Sequence, residues 1–135
     1  ILAMKHPDKV KKMAIMGTVL YNNESSVTAE TNKLIRNQVK EMERKALPKT
    51  NIDYRLKILL LTEPNINPDS LKQIKSPTLV MAGQYDVVKE KHTKLIADKI
   101  PNSKMVIFKG ADHEAPTKIQ TLFNQTIIKF FDQDK

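Results

Sequence analysis

The chain has 135 residues, 40% hydrophobic and 28% charged, enough for one domain around one core and too few for two independent ones. Three glycines stand against roughly nine expected at average usage, which excludes collagen-like, glycine-linker and glycine-rich phosphate-loop architectures, and the absence of cysteine excludes disulfides, thiolate zinc sites and cysteine nucleophiles. The net charge of +8 comes from 20 Lys and 3 Arg scattered along the chain, with one dense group at Lys9, Lys11 and Lys12, a solvated lysine surface rather than the arginine-and-aromatic pattern of a specific nucleic-acid binder.

From the start, Ile1-Leu2-Ala3-Met4-Lys5 lacks the basic region and long apolar run of a secretory signal, and no stretch approaches the roughly 20 apolar residues of a membrane span. The chain reads as soluble and cytoplasmic. Met13-Ala14-Ile15-Met16 is a short apolar run ending at Gly17, as expected of a strand buried on both faces. The interval from Thr18 to Pro77 is too long for one crossover and reads as helical. Ser26 caps a helix with Glu30 in its first turn, and Ile35, Val39, Met42 and Ala46 share one face until Pro48. A second helix runs from Asp53 to Thr62, with Leu56, Leu59 and Leu60 together, stopped by Glu63-Pro64. After a turn at 65–69, Leu71 and Ile74 mark a short helix.

Thr78-Leu79-Val80-Met81-Ala82 is the second strand, ending at Gly83. A helix follows from Glu90 to Lys99, with Leu95, Ile96 and Ile100 inward and Pro101 beyond it. Met105-Val106-Ile107-Phe108-Lys109 and Gly110 complete the third strand; the 27 residues from Gly83 to Gly110 fit a right-handed strand–helix–strand crossover. The terminal helix shows its stripe at Ile119, Leu122, Phe123, Thr126, Ile127, Phe130 and Phe131. The fold class is α/β.

In a parallel sheet, ligands bind beyond the carboxyl ends of the strands. Asp86 lies three residues past Gly83, and His113 three past Gly110. Equivalent placement after neighbouring strands brings the carboxylate within reach of the imidazole, the arrangement in which an acid holds a histidine in one tautomer. By themselves, an aspartate and a histidine in loops are as readily turn and surface residues. Asp112 and Glu114 flank His113 as rival partners, but neighbouring side chains diverge on an extended loop. His6 reads as a capping or surface residue, His92 as solvent-exposed, and Tyr85 as packing under its loop or lining the site. Met42 and the Leu59-Leu60-Leu61 run either line an acyl pocket or pack against the sheet. The histidine spacing carries no metal signature, and no cofactor is implied.

His6-Pro7-Asp8-Lys9-Val10 before the first strand, Ile74-Lys75-Ser76-Pro77-Thr78-Leu79-Val80-Met81-Ala82-Gly83-Gln84-Tyr85-Asp86, Ile100-Pro101-Asn102, and Gly110-Ala111-Asp112-His113 before a helix containing Asn124 closely resemble the carboxyl-terminal half of α/β-hydrolase-fold enzymes. The resemblance covers essentially all of residues 1–135 as one portion of such a domain. It implies a mostly parallel sheet, about three strands here, with flanking helices and a helical cap insertion over 19–76. It is weakest from Tyr21 to Pro64, the variable cap region of that family. It also implies that Asp86 is the acid and His113 the general base of a serine hydrolase acting on a carboxylic ester or related small acyl substrate.

The Gly-x-Ser-x-Gly nucleophile elbow is absent, because none of Ser25, Ser26, Ser70, Ser76 and Ser103 has a glycine two residues away. The family pattern puts that elbow, and part of the oxyanion hole, before Ile1. The chain by itself is therefore expected to be inactive, with the first strand left as a bare edge open to self-association. A hydrolase-like scaffold retained as a catalytically inactive binding or interaction module is the alternative. A specific nucleic-acid partner and a membrane span are not expected.

Overall fold

The computed structural model describes residues 1–47 and 49–133; the helix expected to continue until Pro48 ends earlier, at Arg44. The chain opens with α1 (Leu2–Lys5) and a 3₁₀ turn (Pro7–Lys9), then enters β1 (Met13–Met16). β1, β2 (Thr78–Gly83) and β3 (Ser103–Phe108) form one sheet in the order β1-β2-β3, with both pairings parallel. Met13 pairs with Thr78, and Thr78 with Ser103, so the strands start in step. That register draws β3 back to Ser103, two residues before the apolar run begins, and ends it at Phe108.

The central strand β2 is buried at every position, which is why it reads as continuously apolar. Its side chains alternate between two cores. Val80 joins Leu20, Leu71, Ile74, Ile96 and Ile100 on one face, while Leu79 and Met81 join Phe108, Ala115 and Phe130 on the other. The first face is covered by α4 (Glu90–Lys99) and a 3₁₀ turn at Pro68–Gln73; the second by α5 (Ala115–Lys118) and α6 (Gln120–Asp132). Fully burying a side chain such as Leu79, Val80 or Met81 stabilises by about 1.5–3 kcal/mol.

On α6 the stripe is only partly inward. Phe130 is buried and Phe123 and Ile127 are half-buried, but Leu122 and Phe131 are exposed. Lys12 reaches across to donate to the Phe130 and Phe131 carbonyls at the end of that helix, where a cation is favourable. On α4 the inward face is His92, Thr93, Ile96 and Ala97, with Leu95 half-buried.

Between β1 and β2 lie α2 (Ala29–Arg44) and α3 (Ile52–Thr62). Ser26 does not cap α2. It is fully buried three residues before the helix, its hydroxyl accepting from the Asn23 N–H and donating to the Asn23 carbonyl. Thr28 holds the N-cap position instead. Val39 is buried with Ile35 and Met42 half-buried beside it, whereas Ala46 lies past the helix end at φ 51°. α3 is capped by Asn51, which accepts from the Tyr54 N–H. It packs on α2, where Tyr54 donates to Glu43, and Leu56, Leu59 and Leu60 remain exposed. Of the residues expected either to line an acyl pocket or to pack against the sheet, Leu59 and Leu60 are thus not buried, while Met42 and Leu61 are half-buried.

The two edges of the sheet differ. β3 carries the exposed Lys104, a charge of the kind that blunts an edge, whereas Met13–Met16 carries neither charge nor proline. Met13 and Gly17 direct their N–H groups to β2, so in a parallel ladder Ala14 and Met16 turn theirs outward. For residues 1–135 by themselves, we propose that this edge mediates self-association. Sedimentation velocity is expected to show concentration-dependent oligomers that Ala14→Pro abolishes, since proline there removes an outward donor and spares the β2 ladder. A monodisperse wild-type monomer would refute this.

Candidate active site

Because β2 and β3 run parallel and in register, their following loops leave the sheet side by side. Three hydrogen bonds tie those loops together: Gln84 N–H to the Phe108 carbonyl (2.9 Å), Tyr85 N–H to the Ala111 carbonyl (2.8 Å), and Gly110 N–H to Gln84 Oε1 (2.9 Å). Gly83 makes the approach feasible. A Cβ there would stand 2.6 Å from the Ala111 carbonyl oxygen and closer still to that of Asp112.

Asp86 and His113 meet at this junction. Asp86 Oδ1 lies 2.8 Å from His113 Nδ1 and also accepts from the Val88 N–H at 2.9 Å; Oδ2 accepts from the Gly83 N–H at 3.3 Å. The Asp86 side chain is 1% exposed and that of His113 50%. A carboxylate that deep is tolerated only with donors around it. His113 is one of them, so its hydrogen sits on Nδ1 and the Nε2 lone pair is left to act as a base.

Gly17 completes the site from β1. At φ +55° it presents its bare Cα to the imidazole, and a Cβ would fall 2.6 Å from Nδ1 and nearer to Cε1. The three strand ends therefore converge on one histidine. The rivals Asp112 and Glu114 are engaged elsewhere: both pair with Lys118, and the Lys118 ammonium, followed by the Glu114 N–H, holds the Asp112 carboxyl below the usual carboxylate range.

Other candidates fall outside this constellation. His6 is exposed at the turn after α1. Tyr85 is 69% exposed, which corrects the expectation that it packs under its loop: only its backbone is engaged there. His92 is 1% exposed, correcting the expectation of a solvent position. Its Nε2 accepts from the buried Leu20 N–H at 3.0 Å, which needs an acceptor, and its ring meets Tyr21 edge-on. The signal was the spacing of His92 with Ile96 on the face that also carries Ile100. Ser25, Ser26, Ser70 and Ser103 spend their hydroxyls on local partners, and Ser76 is buried. Among the described residues no group of three or more histidines and carboxylates could hold a metal ion, and no helix is long and apolar enough to cross a membrane.

The fold recurs in solved proteins. An alpha/beta hydrolase enzyme from a Medee basin deep-sea metagenome library aligns with 98% of the chain at a TM-score of 0.70 and 17% identity. This is the α/β-hydrolase fold. Two further α/β-hydrolase structures align with 98% of the chain: the meta-cleavage product hydrolase of Pseudomonas fluorescens IP01 (TM-score 0.69, 16% identity) and the enol-lactonase of Burkholderia xenovorans LB400 (0.68, 17%). The chain spans about 60% of the length of each of these three. In sequence, a proline iminopeptidase of Thermoplasma volcanium is 27% identical over 66 residues, 49% of this chain and 22% of that protein. No family model matches.

Gly17→Ala is expected to push the imidazole off Asp86 and to destabilise the fold by about 1–2 kcal/mol through its left-handed backbone. Loss of the hydrogen-bonded His113 Nδ1–H proton resonance would register the displacement. An unchanged resonance in the variant would show that the close approach does not constrain the ring.

Proposed function

We propose that residues 1–135 supply the acid–base half of an α/β-hydrolase acting on a carboxylic ester or related small acyl substrate, with residues 19–76 as its cap. The observation that carries this reading is the buried Asp86 carboxylate bonded to His113 Nδ1, with half of the imidazole side chain open to solvent. The enol-lactonase among the similar structures supports the ester class. Asp86 orients the ring and stabilises its protonated form; His113 moves the proton.

In the proposed reaction a serine hydroxyl outside these residues attacks the acyl carbon and gives its proton to His113 Nε2. The imidazolium, paired with Asp86, then protonates the leaving group as the bond to the acyl carbon breaks. Water repeats the sequence on the acyl-enzyme, with His113 taking its proton and returning it to the serine oxygen. Donors for the developing oxyanion are also required from outside the Asp86–His113 pair. The substrate is a small acyl compound, and no nucleic acid takes part.

In a polypeptide containing this chain, a fluorophosphonate probe is expected to label a serine outside residues 1–135, and Asp86→Asn to lower turnover roughly 10⁴-fold, as when a triad acid is lost. Labelling that is indifferent to His113→Ala would rule the reading out. Residues 1–135 by themselves are expected to hydrolyse p-nitrophenyl acetate no faster than their His113→Ala variant. A rate that falls on that substitution would show instead that the chain is active alone.

A further inference from the structure

We propose that His92 is a positioning residue for the Asp86–His113 pair, acting through the segment Gly17–Tyr21 that it holds in place. The inference rests on the reading of that pair as the acid and base of the site. Leu20 is the fulcrum. Its N–H donates to His92 Nε2 at 3.0 Å, its carbonyl accepts from the Ile66 N–H at 2.8 Å, and its side chain is buried in the core beneath α4. Three residues earlier in the same segment, Gly17 lies against the His113 ring with no room for even a methyl group. The other end of Gly17 is anchored by its N–H on the Met81 carbonyl, so the path of 18–20 determines how Gly17 meets the imidazole.

The His92 ring is held for this task. Tyr21 stacks on it edge-on, with centroids 4.9 Å apart and planes at 75°, and residue 92 is on the face of α4 that packs inward. To accept at Nε2 the ring must keep that nitrogen free of hydrogen. Protonation would set two donors against each other in a buried place. Burial is the sole cause pushing the His92 pKa below 6.5. The titratable groups about it are the Tyr21 phenol from the 18–22 segment, Lys89, Glu90 and Lys91 at the start of its own helix, and Glu24, whose carbonyl takes the Lys89 ammonium. None of them contributes a shift.

The sign follows. The folded state disfavours the charged ring, so the segment is most secure above pH 6.5, and its opening becomes easier by up to tenfold per pH unit below that value until the folded-state pKa is reached. A purely space-filling residue would produce no such profile.

The test uses the isotope-labelled chain, reading the protection factor of the Leu20 amide between pH 7.5 and 5. In the wild type, Leu20 protection is expected to fall as the pH drops below 6.5; the His113 Hε1 resonance, on the carbon nearest Gly17, is compared between variants at pH 7.5 only. His92→Leu is expected to lower protection at least tenfold at pH 7.5 and to move the same resonance. His92→Gln, which keeps an acceptor that does not titrate, should restore both and flatten the profile. A flat wild-type Leu20 profile overturns the proposal, as does a His113 Hε1 signal at pH 7.5 that is the same in the leucine variant as in the wild type, or a glutamine variant no better than leucine. If the leucine variant does not fold, the wild-type profile and the glutamine variant decide. These readouts need no turnover, so failure of serine labelling would count against the hydrolase reading without touching the role of His92.

Discussion

A carboxylate cannot be taken out of water without replacing the donors that water provided, and Asp86, its side chain 1% exposed, sits where that requirement organises everything nearby. Gly83 and Val88 supply backbone N–H groups from the same turn, and His113 supplies a ring N–H from another strand's loop. Hydrogen bonds to a charged acceptor are worth about 1.5–3 kcal/mol each, so the loop after β3 is held to the loop after β2 through the very contact that fixes the imidazole's tautomer. Structure and chemistry share one interaction here. The same contact that satisfies the buried carboxylate leaves the outer nitrogen of His113 free of hydrogen.

The glycines obey the same geometry for three different reasons. Gly17 keeps space for the imidazole, Gly83 for the carbonyls of the His113 loop, and Gly110 has open space around it but a φ of +71° that other residues resist. Each stands at the end of a strand because that is where parallel strands hand the chain to loops converging on a site. Lys118 adds an outer restraint by drawing Asp112 and Glu114 away from the ring between them.

Much of this is legible in the sequence. Continuous apolar runs followed by glycine locate β1, β2 and β3 because a strand covered on both faces has no polar face to show. The i, i+3, i+4 stripe locates α6 within a residue, and the offset of three from Gly83 and Gly110 singles out Asp86 and His113. The interval from 18 to 77 was less transparent. Ser26 followed by a helix is a capping pattern, yet its hydroxyl turns back to Asn23, since a short polar side chain serves a turn as readily as a cap. Leu56, Leu59 and Leu60 form an apolar group whose pattern promises burial but cannot name the surface that provides it.

The sequence by itself determined that this is an α/β chain with parallel strands, and it singled out one carboxylate and one histidine at adjacent strand ends; those features are written in local spacing, which each segment carries alone. Tertiary structure decided which nitrogen of His113 meets Asp86, that Gly17 lies against the ring, and that His92 is buried and accepts from Leu20. Those depend on residues 27 to 96 positions apart, as the numbering of Asp86, His113 and Gly17 shows, brought together by strand register and core packing. A polar side chain does not announce its partner. Only the assembled fold, by removing water from His92 and Asp86, makes particular donors and acceptors necessary.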